Sequence, residues 1–419
     1  MKNKFFLFPL LLLIIPILVM ILYNFLPYEK VSFIWYYSIL YICYFSGIYS
    51  LYKFKDKYKK EQFNKYEKLI LILITLFFIS CIISTLLAIS PIQSLLGTSY
   101  RKEGLFTYIG YFFIMINSMF LDDKSKKKYY QILITVAVII SLFSLFKINN
   151  FLFPYQYSYN GIFYQFNHFS YFLIIALVFN TCLFISSNNT NEKIIYYISY
   201  LILLVQLILN NTFGGYLALT ITSIFIIIYY VKIKKIKLSS FILVITFIIC
   251  SLFITKNNES IVLKNFFDNT KEVINTNFED ENQLSKLGTS RGKLWIEAIK
   301  MIEKRPIIGY GIENLEQEYH KIGMLYADKP HNMILALSGY IGIPGMLCFI
   351  ISIILILYLV VKNIKNISNE DLISFFAVIC FSCSSIVANS MFYTTPYIFV
   401  CLGIIIRIVF NKHFKVETK

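Results

Sequence analysis

The chain has 419 residues, of which 58% are hydrophobic and 18% aromatic, while only 15% are charged. A soluble domain carries about a quarter charged residues. This composition excludes one and points to a polytopic membrane protein, in which apolar runs of about 20 residues are helical spans. The net charge of +16 does not imply nucleic acid, because most lysines fall in short loops between apolar runs, where the positive-inside rule accounts for them.

Twelve spans are predicted, at approximately 5–26, 32–52, 69–90, 105–121, 129–148, 166–186, 194–210, 213–231, 238–255, 332–361, 372–388 and 396–411. The first follows Lys2 and Lys4 as a signal peptide would, but its run is too long for a signal h-region and no small-x-small site follows, so it reads as a span. A tight polar break, Asn210-Asn211-Thr212, separates the seventh span from the eighth. Lys53 to Lys68 holds seven lysines, and Asp122 to Lys128 and Lys232 to Lys237 hold four each. These loops fall on one side, which the positive-inside rule makes the cytoplasm, with both termini there. The expected fold is an all-α helical membrane bundle in three parts: nine spans over 1–255, a large extracytoplasmic loop over 256–330, and three spans over 331–419.

Within the loop, 259–288 is polar and acidic and is expected to be mobile. Leu294, Trp295, Ala298, Met301 and Ile302 then recur at helical spacing, which predicts a short amphipathic helix. Ser290 suits its cap, and Pro306 and Gly309 its end. All eight cysteines lie in apolar segments. Cys380-Phe-Ser-Cys383 lacks a second pair, so buried thiols are the reading and no metal site is expected. No phosphate-binding Gly-rich loop with Gly-Lys-Ser/Thr occurs, so direct use of ATP is not expected.

Only four arginines occur, Arg101, Arg291, Arg305 and Arg407, and the first three fall on the predicted outer side. Lysine suffices where a loop needs charge alone. Arginine adds a planar fork that binds phosphate oxygens in bidentate fashion. Three forks on one side suit a diphosphate; the alternative is pairing with the local acids Glu103, Glu297 and Glu303. His331, at the loop-to-helix junction between Pro330 and Asn332, is the candidate base, since an unperturbed imidazole titrates near ~6.5; the alternative is a cap or interfacial residue. His168, at the start of the sixth span, reads as structural or binding.

The run Arg291-x3-Trp295-x2-Ala298-x3-Ile302-x3-Pro306-x2-Gly309-x-Gly311-x2-Asn314, then His331-Asn332 and Gly339-x2-Gly342, resembles the signature of the O-antigen ligase and polymerase superfamily, concentrated over 291–345. Gly97-x3-Arg101-x2-Gly104-Leu105 and Gly161-Ile-Phe-x3-Asn167 are similar to its upstream elements. The resemblance implies a metal-independent membrane glycosyltransferase without cofactor. Its donor would be a glycan on undecaprenyl diphosphate at the outer face of a bacterial cytoplasmic membrane. Its acceptor would be a glycan or a lipid-linked glycan, with membrane lipids and other polysaccharide-assembly proteins as partners. It implies His331 and Arg291 as catalytic residues, with Arg101, Arg305, Asn332 and Asn167 in substrate binding. One departure stands out: relatives carry an arginine entering the eighth span, where this chain has Phe213.

Three other readings are weighed. A polysaccharide flippase would line its cavity with charges inside spans, and these spans are nearly free of charge. A glycosyltransferase with a catalytic carboxylate in the first outer loop has only Glu29 to use. An inactive scaffold of a polysaccharide locus would fit the missing arginine. The residue usage suggests an AT-rich, Gram-positive source, which tilts the reading towards polymerase.

Overall fold

The computed structural model describes residues 3–23, 25–57, 59–146, 160–163, 165–232, 242–250, 271, 281–387 and 391–413. Among these residues the structure is helical and has no strands. In chain order the helices are α1 (Leu7–Leu22), α2 (Tyr28–Lys57), α3 (Lys65–Leu86), α4 (Pro91–Leu96), α5 (Leu105–Ser118), α6 (Asp123–Leu145), α7 (Phe166–Ser186), α8 (Thr190–Leu209) and α9 (Phe213–Lys232). They continue with α10 (242–250), then α11 (Glu281–Lys304), α12 (Leu315–Lys321), α13 (Met333–Lys362), α14 (Asn369–Ser385) and α15 (Thr395–Val409). Each predicted span overlaps a described helix. Eight helices are long and apolar enough to cross a membrane, and α5 and α15 are shorter apolar helices. Twelve crossings therefore remain an expectation.

α7 is the hub of the bundle. It is buried almost throughout and packs against α6, α8, α9 and α14. Side chains on the bundle exterior are instead exposed and apolar, such as Ile72, Ile82, Ile224 and Ile354, as lipid-facing positions should be. The lysine-rich end is tied together by polar contacts. Lys126 pairs with Asp371 at 2.6 Å, and buried His413 pairs with Glu67, the capping-box partner of Asn64.

The loop helix differs from its expectation. α11 has 24 residues, so Ser290 lies inside it and does not begin it. Its stripe is a packing face as predicted: Ala298, Met301 and Ile302 are buried, and the helix lies against α13. It stops at Lys304, just before Pro306. The predicted mobile stretch 259–288 falls mostly outside the described residues.

α13 is broken at Gly342, which has φ of +77°. A Cβ there would strike the carbonyl of Ile307, so only glycine fits. The break frees carbonyls that would otherwise close helical turns. Tyr310 N donates to Gly339 O at 2.9 Å and Gly311 N to Tyr340 O at 3.0 Å, while Ile343 N reaches Pro306 O at 2.7 Å. The signature glycines thereby dock the segment after α11 onto α13.

Candidate functional site

The site forms at the end of the bundle opposite the lysine-rich loops, where two connections meet. One is Gly97 to Gly104, between α4 and α5. The other runs from Tyr310 to Asn332 and leads into α13. Asn314 fastens them, accepting from Ser90 N at 2.9 Å through Oδ1. Gln93 Nε2 donates to Glu313 O at 2.8 Å. Glu313 Oε2 accepts from the amide and hydroxyl of Thr98 at 2.8 and 3.0 Å.

Two buried ion systems lie between these connections. Arg101, only 4% exposed, holds Asp328 at 2.6 Å through Nε. Lys329 meets Glu313 at 2.9 Å and Glu103 at 3.5 Å, and Glu103 accepts from Tyr111 OH at 2.9 Å. Burial opposes charge on Lys329, but Glu313 and Glu103 outweigh it and raise its pKa. Burial would likewise raise Asp328, yet the charge and hydrogen bond of Arg101 hold its carboxyl below the usual range. Arg101 does meet an acid, then, but its partner is Asp328, while Glu103 serves Lys329. Sequence reasoning missed Asp328 and Lys329. Their position just before Pro330-His331 was the available signal.

His331 stands at the start of α13 in the left-handed region, with φ of +51°. Lys102 and Glu313, in the same two connections, share that conformation at +55° and +59°. Each such non-glycine residue costs about 1–3 kcal/mol and persists only when its surroundings over-determine it. Here the bracing is visible. Trp295 Nε1 donates to Pro330 O at 2.8 Å, and Tyr319 OH donates to Leu294 O at 2.8 Å. Asn332 Oδ1 caps α13 by accepting from Ile334 N and Leu335 N. Burial lowers the pKa of the imidazole, Asp328 raises it, and Arg101, Arg291 and Lys329 lower it again; it sits at about 4. The expected base near ~6.5 is thus a neutral imidazole at ordinary pH.

Arg291, on α11, donates from Nη1 to Val387 O at 2.9 Å. No carboxylate lies within ion-pair distance of it among the described residues. A Cβ on Gly214 would lie 3.1 Å from Val387 Cγ2 and 3.8 Å from Tyr171 OH. Arg291 and Gly214, at the start of α9, therefore both approach Val387, and the start of α9 is where the resemblance placed an arginine. Tyr171 feels both Arg291 and Arg101, and His331 feels both as well.

The remaining candidates divide. Asn167 is half-buried on the first turn of α7, beside buried His168. Arg305 is exposed and stacks on the Tyr310 ring at 4.9 Å. It lies just past the end of α11, 14 residues after Arg291 and about 20 Å along the helix axis, so the structure does not bring it into the cluster. Glu29 is exposed in the first turn of α2, which leaves the first-loop carboxylate reading without a built site.

The family model for O-antigen ligase matches residues 198–350. That stretch of the chain is similar to the O-antigen ligase family. The match covers Arg291, Arg305, His331 and Asn332 and agrees with the superfamily that the motifs resemble. The match, together with the long apolar helices, supports a membrane enzyme of polysaccharide assembly in a bacterial inner membrane. Arg101 and His168 lie outside the match, and the fold carries them to it. A comparison with curated proteins gives no match.

Proposed function

We propose that the protein transfers or polymerises an undecaprenyl-diphosphate-linked oligosaccharide at the outer face of the cytoplasmic membrane. The observation that carries this is the meeting of His331 and Arg291 with the Arg101–Asp328 pair at one end of the bundle. An acceptor hydroxyl would attack the anomeric carbon of the donor. Its proton would pass to the neutral His331 and then to water. The carbon–oxygen bond to the diphosphate would break, and undecaprenyl diphosphate would leave with the electron pair. A leaving group of that charge needs compensation more than it needs a strong base, which suits a weakly basic His331 beside arginines.

Arg291 suits the diphosphate best, because it carries a fork without a carboxylate partner among the described residues. Arg101 would act as a fixed charge, held by Asp328. Asn332 would contribute by capping α13.

The test is a gel profile of surface glycan and lipid-linked intermediates in cells lacking the protein, complemented with wild type or His331→Ala. Single repeat units on lipid, extended only by wild type, identify a polymerase. Long lipid-linked chains that fail to reach a final acceptor identify a ligase. An unchanged profile in the deletion strain would sink the proposal.

A further inference from the structure

His168 is the third residue of α7 and is almost wholly buried. Its Nε2 lies 3.3 Å from Nη1 of Arg101. A guanidinium can only donate and stays protonated, so His168 Nε2 must accept. The proton of the neutral ring therefore sits on Nδ1. That Nδ1–H is buried and has no hydrogen-bond partner among the described residues, and a buried donor left in that condition costs free energy.

The contacts behind His168 hold it in this tautomer. Arg101 is itself fixed by Asp328 at 2.6 Å, and by Tyr100, whose ring lies 4.8 Å from the guanidinium. His331, Lys329 and Asp328 are close enough to act on the His168 ring electrostatically. The residue also sits in the first turn of a 21-residue helix whose N-cap, Gln165, makes no side-chain cap bond. Such a helix start favours negative charge through its dipole and its unpaired amides.

We infer that His168 donates a hydrogen bond from Nδ1 to a phosphate oxygen of the lipid-linked diphosphate donor, with Arg101 as the positioning residue that fixes its tautomer. The inference rests on the function proposed above. It assigns His168 a contact with the leaving group, separate from the proton-accepting role of His331.

Two substitutions separate donation from scaffolding. In His168→Asn the amide nitrogen takes the place of Nδ1 and keeps the donor, but the contact to Arg101 is lost. In His168→Gln the amide oxygen can accept from Arg101 in place of Nε2, but no donor remains at the Nδ1 position. Purified protein in detergent is titrated with undecaprenyl diphosphate, and the thermal shift is read against phosphatidylglycerol and inorganic pyrophosphate. Unliganded melting temperatures report folding in each variant.

Wild type and His168→Asn should bind undecaprenyl diphosphate with affinities within a few-fold of each other. His168→Gln should bind it roughly tenfold or more weakly, the loss of one charge-assisted hydrogen bond, while melting nearer to wild type than His168→Asn does. The reverse order, with Gln binding well and Asn poorly, would mean that His168 only supports Arg101 and would overturn the inference. Equal binding by all three would overturn it too and leave the proposed function standing. A wild type that ignores undecaprenyl diphosphate, or prefers phosphatidylglycerol, would remove both.

Discussion

The Arg101–Asp328 pair allows stability and activity to be separated by substitution. Asp328→Ala would leave a guanidinium that is 4% exposed without its carboxylate. Removing one partner of a buried pair costs about 3–5 kcal/mol, because an uncompensated charge stays behind. Asp328→Asn keeps the shape and one acceptor, and should cost about 1.5–3 kcal/mol, the range of a charge-assisted hydrogen bond. Replacing both partners by apolar residues of similar volume, Arg101→Met with Asp328→Leu, should restore much of the lost stability, since such exchanges are often near neutral. Activity should not return, because the apolar pair neither fixes His168 nor sets the charge around His331. The assay is thermal unfolding of each purified variant in detergent, run beside the glycan ladder in cells. If the double variant extends glycan as wild type does, Arg101 has no part in the reaction. If Asp328→Ala melts with wild type, the pair is not the buried element described above.

Three further outcomes are expected. The base form of His331 is the neutral one, and its pKa is depressed to about 4, so transfer rates should stay level from neutral pH downwards and fall as pH passes through about 4; an acid limb near ~6.5 would show an unperturbed imidazole. His331→Gly suits φ of +51° and should be about 1 kcal/mol more stable than His331→Ala, while both lose transfer; an active glycine variant would remove the imidazole from the mechanism. Arg291→Lys keeps charge but loses the fork and should lower transfer by about 1.5–3 kcal/mol in the activation barrier, read from initial rates; a rate equal to wild type would show that charge alone suffices.

The apolar runs made the helices legible, because burial in lipid demands a 20-residue period of hydrophobicity that the sequence carries openly. The structure divides the members of the Arg291 to Gly342 signature by physical task. Trp295 braces Pro330, Asn314 locks Ser90, Asn332 caps α13, and Gly309 and Gly342 admit a close backbone approach. What could not be read was pairing across the chain. Glu103 is two residues from Arg101 and was the natural partner to suspect, yet the chain returns Asp328 to Arg101 and Lys329 to Glu103. No local pattern encodes that exchange. The start of α11 was misplaced because Ser290 looks like a cap, and a cap signal inside a helix has no periodicity to contradict it. The His331 shift was invisible for a related reason: it comes from burial and from charges that only the fold assembles.

The ion systems that close the site also set an order of events during synthesis. Arg101 and its acid are 227 residues apart, and Lys329 and Glu103 are 226 apart. At about 5–20 residues per second, Arg101 and Glu103 emerge roughly 10–45 seconds before their partners exist. Through that interval most of the helices must enter the bilayer while two ionised side chains wait in water at its surface. The last connection before α13 therefore acts as a late latch, and a chain interrupted ahead of Asp328 would be inserted but left open at the end where these two ion systems lie.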